Sequence, residues 1–278
     1  MIFWLASYPK SGNTWIRMFL RSYFLSSNQK FSLNEKGMHD FEVLNFPTPE
    51  LLKNAKIDYS NFHNIAKNWV TLQDIINLNG KLNFLKTHNG NFNLGNYPFT
   101  NTDNTIGGIY IVRDPRDVVL SYANHFGLDN SESTNMLIDK ENCEQYFDEK
   151  LKEKYLRSLM GSWSMNYLSW RHYRGRKIHL MKYEDLVENP KKKFIKMLEY
   201  INSIISINID QNRISKAVAE TTFQKLQNLE DKEGFIEVGK GKFFRKGKVG
   251  EWKEKLDPKL TKKIEDHFRK EMMELDYL

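Results

Sequence analysis

Apolar and polar positions fall in blocks along this chain, and the blocks predict alternating strands and helices. Ile2-Phe3-Trp4-Leu5-Ala6 is an unbroken apolar run of strand length, the pattern of a parallel strand buried on both faces. The mixed segment Trp15 to Leu25 predicts a helix packed on that strand. Further strands are predicted at Lys81–Lys86, Ile106–Val112 and Ile178–Met181, each followed by polar residues. Asp114 as N-cap and Pro115 at the first helical position open a helix carrying Val118, Val119, Leu120 and Tyr122. Tyr155 to Tyr173 carries Leu156, Leu159, Met160, Trp163, Tyr167 and Trp170 at helical spacing, a core-facing stripe. Other helices are expected from Pro190 through Phe194, Leu198 and Ile201, over Arg213–Lys225, and from Asp257-Pro258 with Leu260, Ile264, Phe268 and Met272 on one face. Asn28–Gln73 and Phe126–Lys154 are polar and irregular. The first predicts loops and short helices that either wall a pocket or serve as ordinary surface connections, the second a loop with a short helix, a candidate lid. The alternation specifies an α/β fold, with residues 1–278 expected as one domain.

The first strand runs into Ser7-Tyr8-Pro9-Lys10-Ser11-Gly12-Asn13-Thr14-Trp15. A strand, a small-residue loop and a helix start make a phosphate cradle. Gly12 permits the tight turn, the amides at the helix start point outward, and the helix dipole favours an anion there. Lys10 and the hydroxyls of Ser11 and Thr14 add donors. The loop is not a Walker-A sequence: no glycine precedes the turn, and the lysine lies before Gly12 instead of at the helix start. A different anion in a similar cradle is expected.

The chain has 278 residues, of which 40% are hydrophobic, enough for a sizeable core. No apolar run approaches the roughly 20 residues of a membrane span, and the amino terminus has neither the basic segment nor the cleavage site of a signal peptide. Cys143 is the single cysteine, so an intrachain disulfide is excluded and a reducing, cytoplasmic setting is expected. A net charge of +7 fits nucleic acid, an acidic membrane surface or an anionic small molecule, and does not choose among them.

Functional side chains are expected where strands end. Lys86 lies in the second predicted strand and His88 just after it. Arg113 ends the third, and Ser121 lies about two turns into the helix beyond. Both could face one anion, or Arg113 could pair with Asp114 or Asp117. Gly239 to Lys253 is basic and glycine-rich, including Phe244, Arg245, Lys246 and Gly247. It reads either as a mobile clamp on a phosphorylated ligand or as a basic hairpin for nucleic acid.

Taken together these residues resemble the sulfotransferase family that uses 3′-phosphoadenosine 5′-phosphosulfate, most closely its cytosolic-type branch. Tyr8-Pro9-Lys10-Ser11-Gly12-Asn13-Thr14-Trp15 matches the family's 5′-phosphosulfate loop, with Asn13 for the usual Thr. Arg113-Asp114-Pro115-Arg116-Asp117 with Ser121 matches its 3′-phosphate strand and helix. Arg245-Lys246-Gly247, Gly250, Trp252 and Lys253 match its carboxyl-terminal R-K-G-x-x-G-[DE]-W-K signature. Lys86-Thr87-His88, Gly161-Ser162-Trp163, Tyr183-Glu184-Asp185 and Thr221-Thr222-Phe223 follow in family order, so the resemblance covers essentially the whole chain.

The resemblance implies a P-loop NTPase-like fold, a central parallel sheet between helices in three α/β/α layers. It implies sulfuryl transfer to a hydroxyl or amine of a small-molecule or carbohydrate acceptor, adenosine 3′,5′-bisphosphate as product, and no metal. In it His88 is the general base, Lys10 stabilises the leaving phosphate, and Lys86 the transferring group. Lys10, Ser11, Gly12, Asn13 and Thr14 take the 5′-phosphate. Arg113, Ser121, Arg245, Lys246 and Gly247 take the 3′-phosphate, and Phe244 belongs to the same stretch. Trp15 and Phe223 stack on adenine with Tyr183 and Thr221 nearby.

Three positions depart from the family pattern. Gly90 stands where animal enzymes commonly have Pro, and the chain begins at its first strand without an amino-terminal extension. The animal dimer motif K-x-x-x-T-V-x-x-x-E keeps Lys253 but has Asp257-Pro258 for Thr-Val and Lys262 for Glu, so that dimer is not expected. A kinase or a basic nucleic-acid-binding module are the rival readings. The first would need a lysine at the helix start and Mg²⁺ ligands, the second steep salt dependence.

Overall fold

The computed structural model describes residues 1–25, 30–34, 41–148 and 153–278. In chain order the elements are β1 (Ile2–Ser7), α1 (Asn13–Phe24), β2 (Val43–Asn45), α2 (Pro49–Asn54), α3 (Phe62–Lys67), α4 (Trp69–Asn77), β3 (Asn83–Thr87), β4 (Asn93–Leu94), β5 (Tyr97–Pro98) and β6 (Thr105–Val112). They continue as α5 (Pro115–Phe126), α6 (Asn130–Ile138), β7 (Cys143–Asp148), β8 (Glu153–Leu159), α7 (Trp163–Arg171), β9 (Ile178–Lys182), α8 (Tyr183–Glu188), α9 (Pro190–Asn202), α10 (Gln211–Glu220), α11 (Phe223–Glu233), α12 (Trp252–Lys255) and α13 (Pro258–Glu274). By internal contacts the chain divides into two units, one of residues 1–8, 43–112 and 136–180, the other of residues 9–42, 113–135 and 181–278.

The first unit is built on a sheet of order β2-β3-β1-β6-β9, in which β1 runs parallel to both β3 and β6 and β2 runs parallel to β3. The unbroken apolar run of β1 is explained by its place: every one of its six residues is buried between two strands and two covered faces. Trp4 lies at its middle, with the rings of Phe46, Phe99 and Trp170 5.2 to 6.1 Å away. The helix α7 packs on β1 and β6, burying Trp163, Tyr167 and Trp170 completely.

Here the expected helix from Tyr155 is corrected. Leu156 and Leu159 belong to β8, which pairs antiparallel with β7, and the helix starts only at Trp163. Gly161, at φ 63, breaks the chain direction, and the Ser162 hydroxyl caps α7 by accepting from Met165 N at 3.3 Å. Apolar spacing over a strand, a turn and a helix start imitated one long helix. The hairpin also replaces part of the loop expected over Phe126–Lys154, while its short helix is α6; residues 149–152 of that stretch lie outside the described residues. The segment before β3 holds the short helices α2, α3 and α4, as its pattern predicted, together with the edge strand β2. Residues 28–29 and 35–40 of it lie outside the described residues.

The second unit holds α1, α5, the first part of α6 and the helices from α8 onward. Asp114 caps α5 through the Arg116 amide and Asp257 caps α13 through the Lys259 amide, each with proline at the first helical position, as the sequence predicts. Ile264, Phe268 and Met272 are buried as one face of α13. The single helix expected over Arg213–Lys225 is instead two, α10 and α11, separated at Thr221-Thr222, where Thr222 takes the N-cap position of α11. Among the described residues no helix is long and apolar enough to cross a membrane.

Candidate active site

In the second unit, the loop after β1 turns through two left-handed residues, Lys10 at φ 65 and Gly12 at φ 103. Gly12 is required twice over. That φ is strained for other residues, and a Cβ there would lie 2.6 Å from the Tyr183 ring. Gly12 is also the N-cap of α1 and offers the helix no side-chain oxygen. Beside it Ser11 is fully buried, and among the described residues its Oγ has no hydrogen-bond partner. A buried hydroxyl at a helix start without a side-chain cap has the chemistry to receive an anion.

Neighbouring groups brace the cradle. Arg113, its guanidinium 4.4 Å from the Tyr183 ring, donates to the Lys10 carbonyl at 3.3 Å and the Lys248 carbonyl at 3.2 Å. Asp114 pairs with Arg116 at 2.7 Å, and Arg116 lies 3.7 Å from the Trp252 ring. The hydroxyl of Thr14 donates to Glu237 Oε2 at 3.0 Å, and Arg17 donates to the same oxygen at 2.7 Å. Asn13 accepts from Arg17 Nε at 3.1 Å. The Lys10 ammonium lies 3.9 Å from the Phe243 ring centre. Burial lowers its pKa to about 8, against the opposing pull of Glu237 and Glu230.

The aromatic residues expected at adenine cluster in the same unit. The indole Nε1 of Trp15 donates to the Thr221 carbonyl at 2.8 Å, and its ring stands edge-on to Tyr183 at 6.1 Å. Phe223 stands edge-on to Phe244 at 6.2 Å. Gly247, at φ 62, touches the Phe223 ring so closely that a Cβ would lie 2.3 Å from it. Ser121 lies half-buried in α5.

The basic stretch is pinned, contrary to the mobility its glycines suggested, and among the described residues it forms no hairpin. Glu230 on α11 accepts from the amides of Phe243 and Phe244 at 2.7 and 2.8 Å. Asp117 on α5 accepts from Gly250 N at 2.7 Å and Trp252 N at 3.0 Å. Between those two amides Glu251, its side chain 9% exposed, pairs with Arg245 at 2.6 Å, Lys246 at 3.1 Å and Lys255 at 3.2 Å. The anchoring of the loop by Glu230, Asp117 and Glu251 was not legible in the sequence, where the excess of lysine obscured it. Each is a carboxylate inside or facing a basic run, and that was the available signal.

In the first unit, Lys86 is buried near the end of β3 and His88 follows it. The His88 Nδ1 lies 2.7 Å from the Ser7 carbonyl oxygen. A carbonyl only accepts, so Nδ1 carries the proton and Nε2 is the basic nitrogen. The turn after it is fixed at every residue. Asn89 accepts from Leu159 N at 2.8 Å through its side chain and from Trp170 Nε1 at 2.9 Å through its carbonyl. Gly90 N donates to the Leu159 carbonyl at 2.9 Å.

Comparison with known proteins agrees in kind. The family model described as the sulfotransferase domain matches residues 2–276. A flavonol 4′-sulfotransferase of Flaveria chlorifolia is 26% identical over 283 residues, 94% of this chain and 76% of its own length. Rat sulfotransferase 1A1 is 22% identical over 98% of this chain and 85% of its own. Human sulfotransferase 1C2 is 25% identical over 61% of this chain, and the match spans only 56% of that relative's length. Among solved structures, mouse sulfotransferase SULT7A1 complexed with PAP superposes with a TM-score of 0.60 at 20% identity, covering 98% of this chain and 84% of that one. A retinol dehydratase in complex with androsterone and PAP superposes at 0.53 and 19% identity, covering 98% and 80%. A family model that fits all but three residues, on an α/β fold with a parallel central sheet, leaves one conclusion: this chain belongs to the sulfotransferase domain family.

Proposed function

We propose that residues 1–278 act as one sulfotransferase domain, carrying a sulfuryl group from 3′-phosphoadenosine 5′-phosphosulfate to a hydroxyl or amine of a small-molecule or carbohydrate acceptor. The observation that carries the reading is the cradle at α1, where the buried Ser11 hydroxyl has no partner among the described residues beside the left-handed Gly12. The donor, when bound, supplies a sulfuryl group on a phosphate leaving group. The backbone of Lys10 to Thr14 and the Ser11 hydroxyl bind that phosphate, and Lys10 offsets its growing charge. Arg245, Lys246 and Gly247 hold the 3′-phosphate with Ser121, while Arg113 braces the cradle and the basic loop. Trp15 and Phe223 flank the adenine. His88 takes the acceptor proton at Nε2, and Lys86 steadies the sulfuryl oxygens. PAP in the solved mouse relative supports the same nucleotide here.

Lys10 supplies the test. In the free protein it titrates at about 8 because its ammonium is buried. A phosphate beside it favours the charged form, so binding above pH 8 takes up a proton. Affinity for adenosine 3′,5′-bisphosphate is therefore expected to be level below pH 8 and to fall by up to about tenfold per pH unit above it. Calorimetric titration at pH 7, 8 and 9 measures the slope, and Lys10→Arg should flatten it. An unchanged affinity across that range in the native protein contradicts Lys10 at the phosphate.

A further inference from the structure

One buried amide in the first unit touches the turn that carries His88. Asn166, on α7, is completely buried within the apolar stripe of Trp163, Tyr167 and Trp170. Its Nδ2 donates to the carbonyl of His88 at 3.0 Å and to the carbonyl of Met160 at 2.9 Å. Its Oδ1 accepts from the hydroxyl of Tyr110, on β6, at 2.9 Å. Both carbonyls only accept, so the amide nitrogen must face them, and the Tyr110 proton then completes the oxygen. Burial keeps that phenol protonated by pushing its pKa well up. Three hydrogen bonds at one buried side chain thus join β6, the residue before Gly161 and the residue proposed as general base.

We propose that Asn166, oriented by Tyr110, is a positioning residue for His88; the proposal rests on the reading of His88 as the base. The Ser7 carbonyl engages the ring of His88, and Asn166 engages its backbone. With the backbone clamp gone, the carbonyls of His88 and Met160 separate. The 2.7 Å bond from Nδ1 to Ser7 then no longer selects a single tautomer, and the lone pair no longer stays on Nε2. A packing role alone predicts nothing for the ring. A polar residue inside a tryptophan-lined stripe is expensive unless each of its bonds is made, and here one of them ends on the backbone of the proposed base itself.

The test compares native protein with Tyr110→Phe and Asn166→Ala by nitrogen-15 histidine spectra, assigning His88 from its absence in His88→Gln. The native protein should show one His88 tautomer with a protected Nδ1 proton. Both variants should lose that proton signal and show mixed tautomers, while their affinity for adenosine 3′,5′-bisphosphate stays within twofold of native. Tyr110→Phe removes one oxygen and leaves the ring, so it decides the matter if Asn166→Ala does not fold. A folded Tyr110→Phe protein with the native His88 spectrum overturns the positioning role. Failure of the native protein to bind the bisphosphate would overturn the donor reading instead, and the spectra, which need no nucleotide, would still decide this one.

Discussion

Replacing His88 with alanine is expected to lower kcat for sulfuryl transfer by about 10²- to 10⁴-fold, the usual contribution of a positioned general base. The dissociation constant of adenosine 3′,5′-bisphosphate should stay within about twofold, since a base contributes in the transition state and not to nucleotide binding. In the proposed assignment His88 serves the acceptor, whereas Lys10 to Trp15 and Arg245 to Gly247 hold the nucleotide. The His88 Nδ1 is engaged by the Ser7 carbonyl at 2.7 Å, so the proposed proton transfer falls to Nε2. His88→Gln, which keeps a polar side chain of similar length without a titrating nitrogen, should lose as much activity. A parallel loss of nucleotide affinity and of activity would make His88 a structural residue.

The second large effect is expected at Arg245. Its guanidinium is held by Glu251 at 2.6 Å, with Lys246 on the same carboxylate at 3.1 Å. The loop carrying them is fixed by Glu230 and Asp117 through four backbone amides. The cationic pair is therefore set in place before a phosphate arrives, which reduces the ordering cost of binding it. Hydrogen bonds to charged groups contribute about 1.5–3 kcal/mol, so Arg245→Ala should weaken adenosine 3′,5′-bisphosphate by about 10- to 150-fold. Adenosine 5′-phosphosulfate, which lacks the 3′-phosphate, should lose no more than about twofold by the same reasoning. Titration of both nucleotides against both proteins measures the difference. Equal losses for the two would remove Arg245 from the 3′-phosphate.

What the sequence made legible was whatever depends on local chemistry. The buried run of β1, the Asp-Pro helix starts at Asp114 and Asp257, and the cradle with Gly12 could each be read from a few adjacent residues, because strand burial, capping and left-handed backbone are local demands. What it hid depends on partners distant in the chain. Glu237 reaches Thr14 across more than two hundred residues, and Asp117 reaches Gly250 across more than one hundred. No periodicity encodes such pairings. The stripe from Leu156 to Trp170 misled for a related reason: a strand, a left-handed glycine and a helix placed apolar residues three and four apart by coincidence. The glycines of the basic stretch suggested freedom, but Gly247 is there so that Phe223 can approach, and carboxylates tie down the rest.

Thermal stability with added nucleotide tests the central claim most directly. Adenosine 3′,5′-bisphosphate at about a hundred times its dissociation constant should stabilise the folded protein by about 2.7 kcal/mol, raising Tm by about 5–10 °C. ADP with Mg²⁺ and a short oligonucleotide, measured beside it, should each raise Tm far less. A shift with the bisphosphate that exceeds both is the predicted result. No shift with it, alongside a clear one from ADP with Mg²⁺ or the oligonucleotide, would contradict the donor site built on Ser11, Gly12 and Arg245.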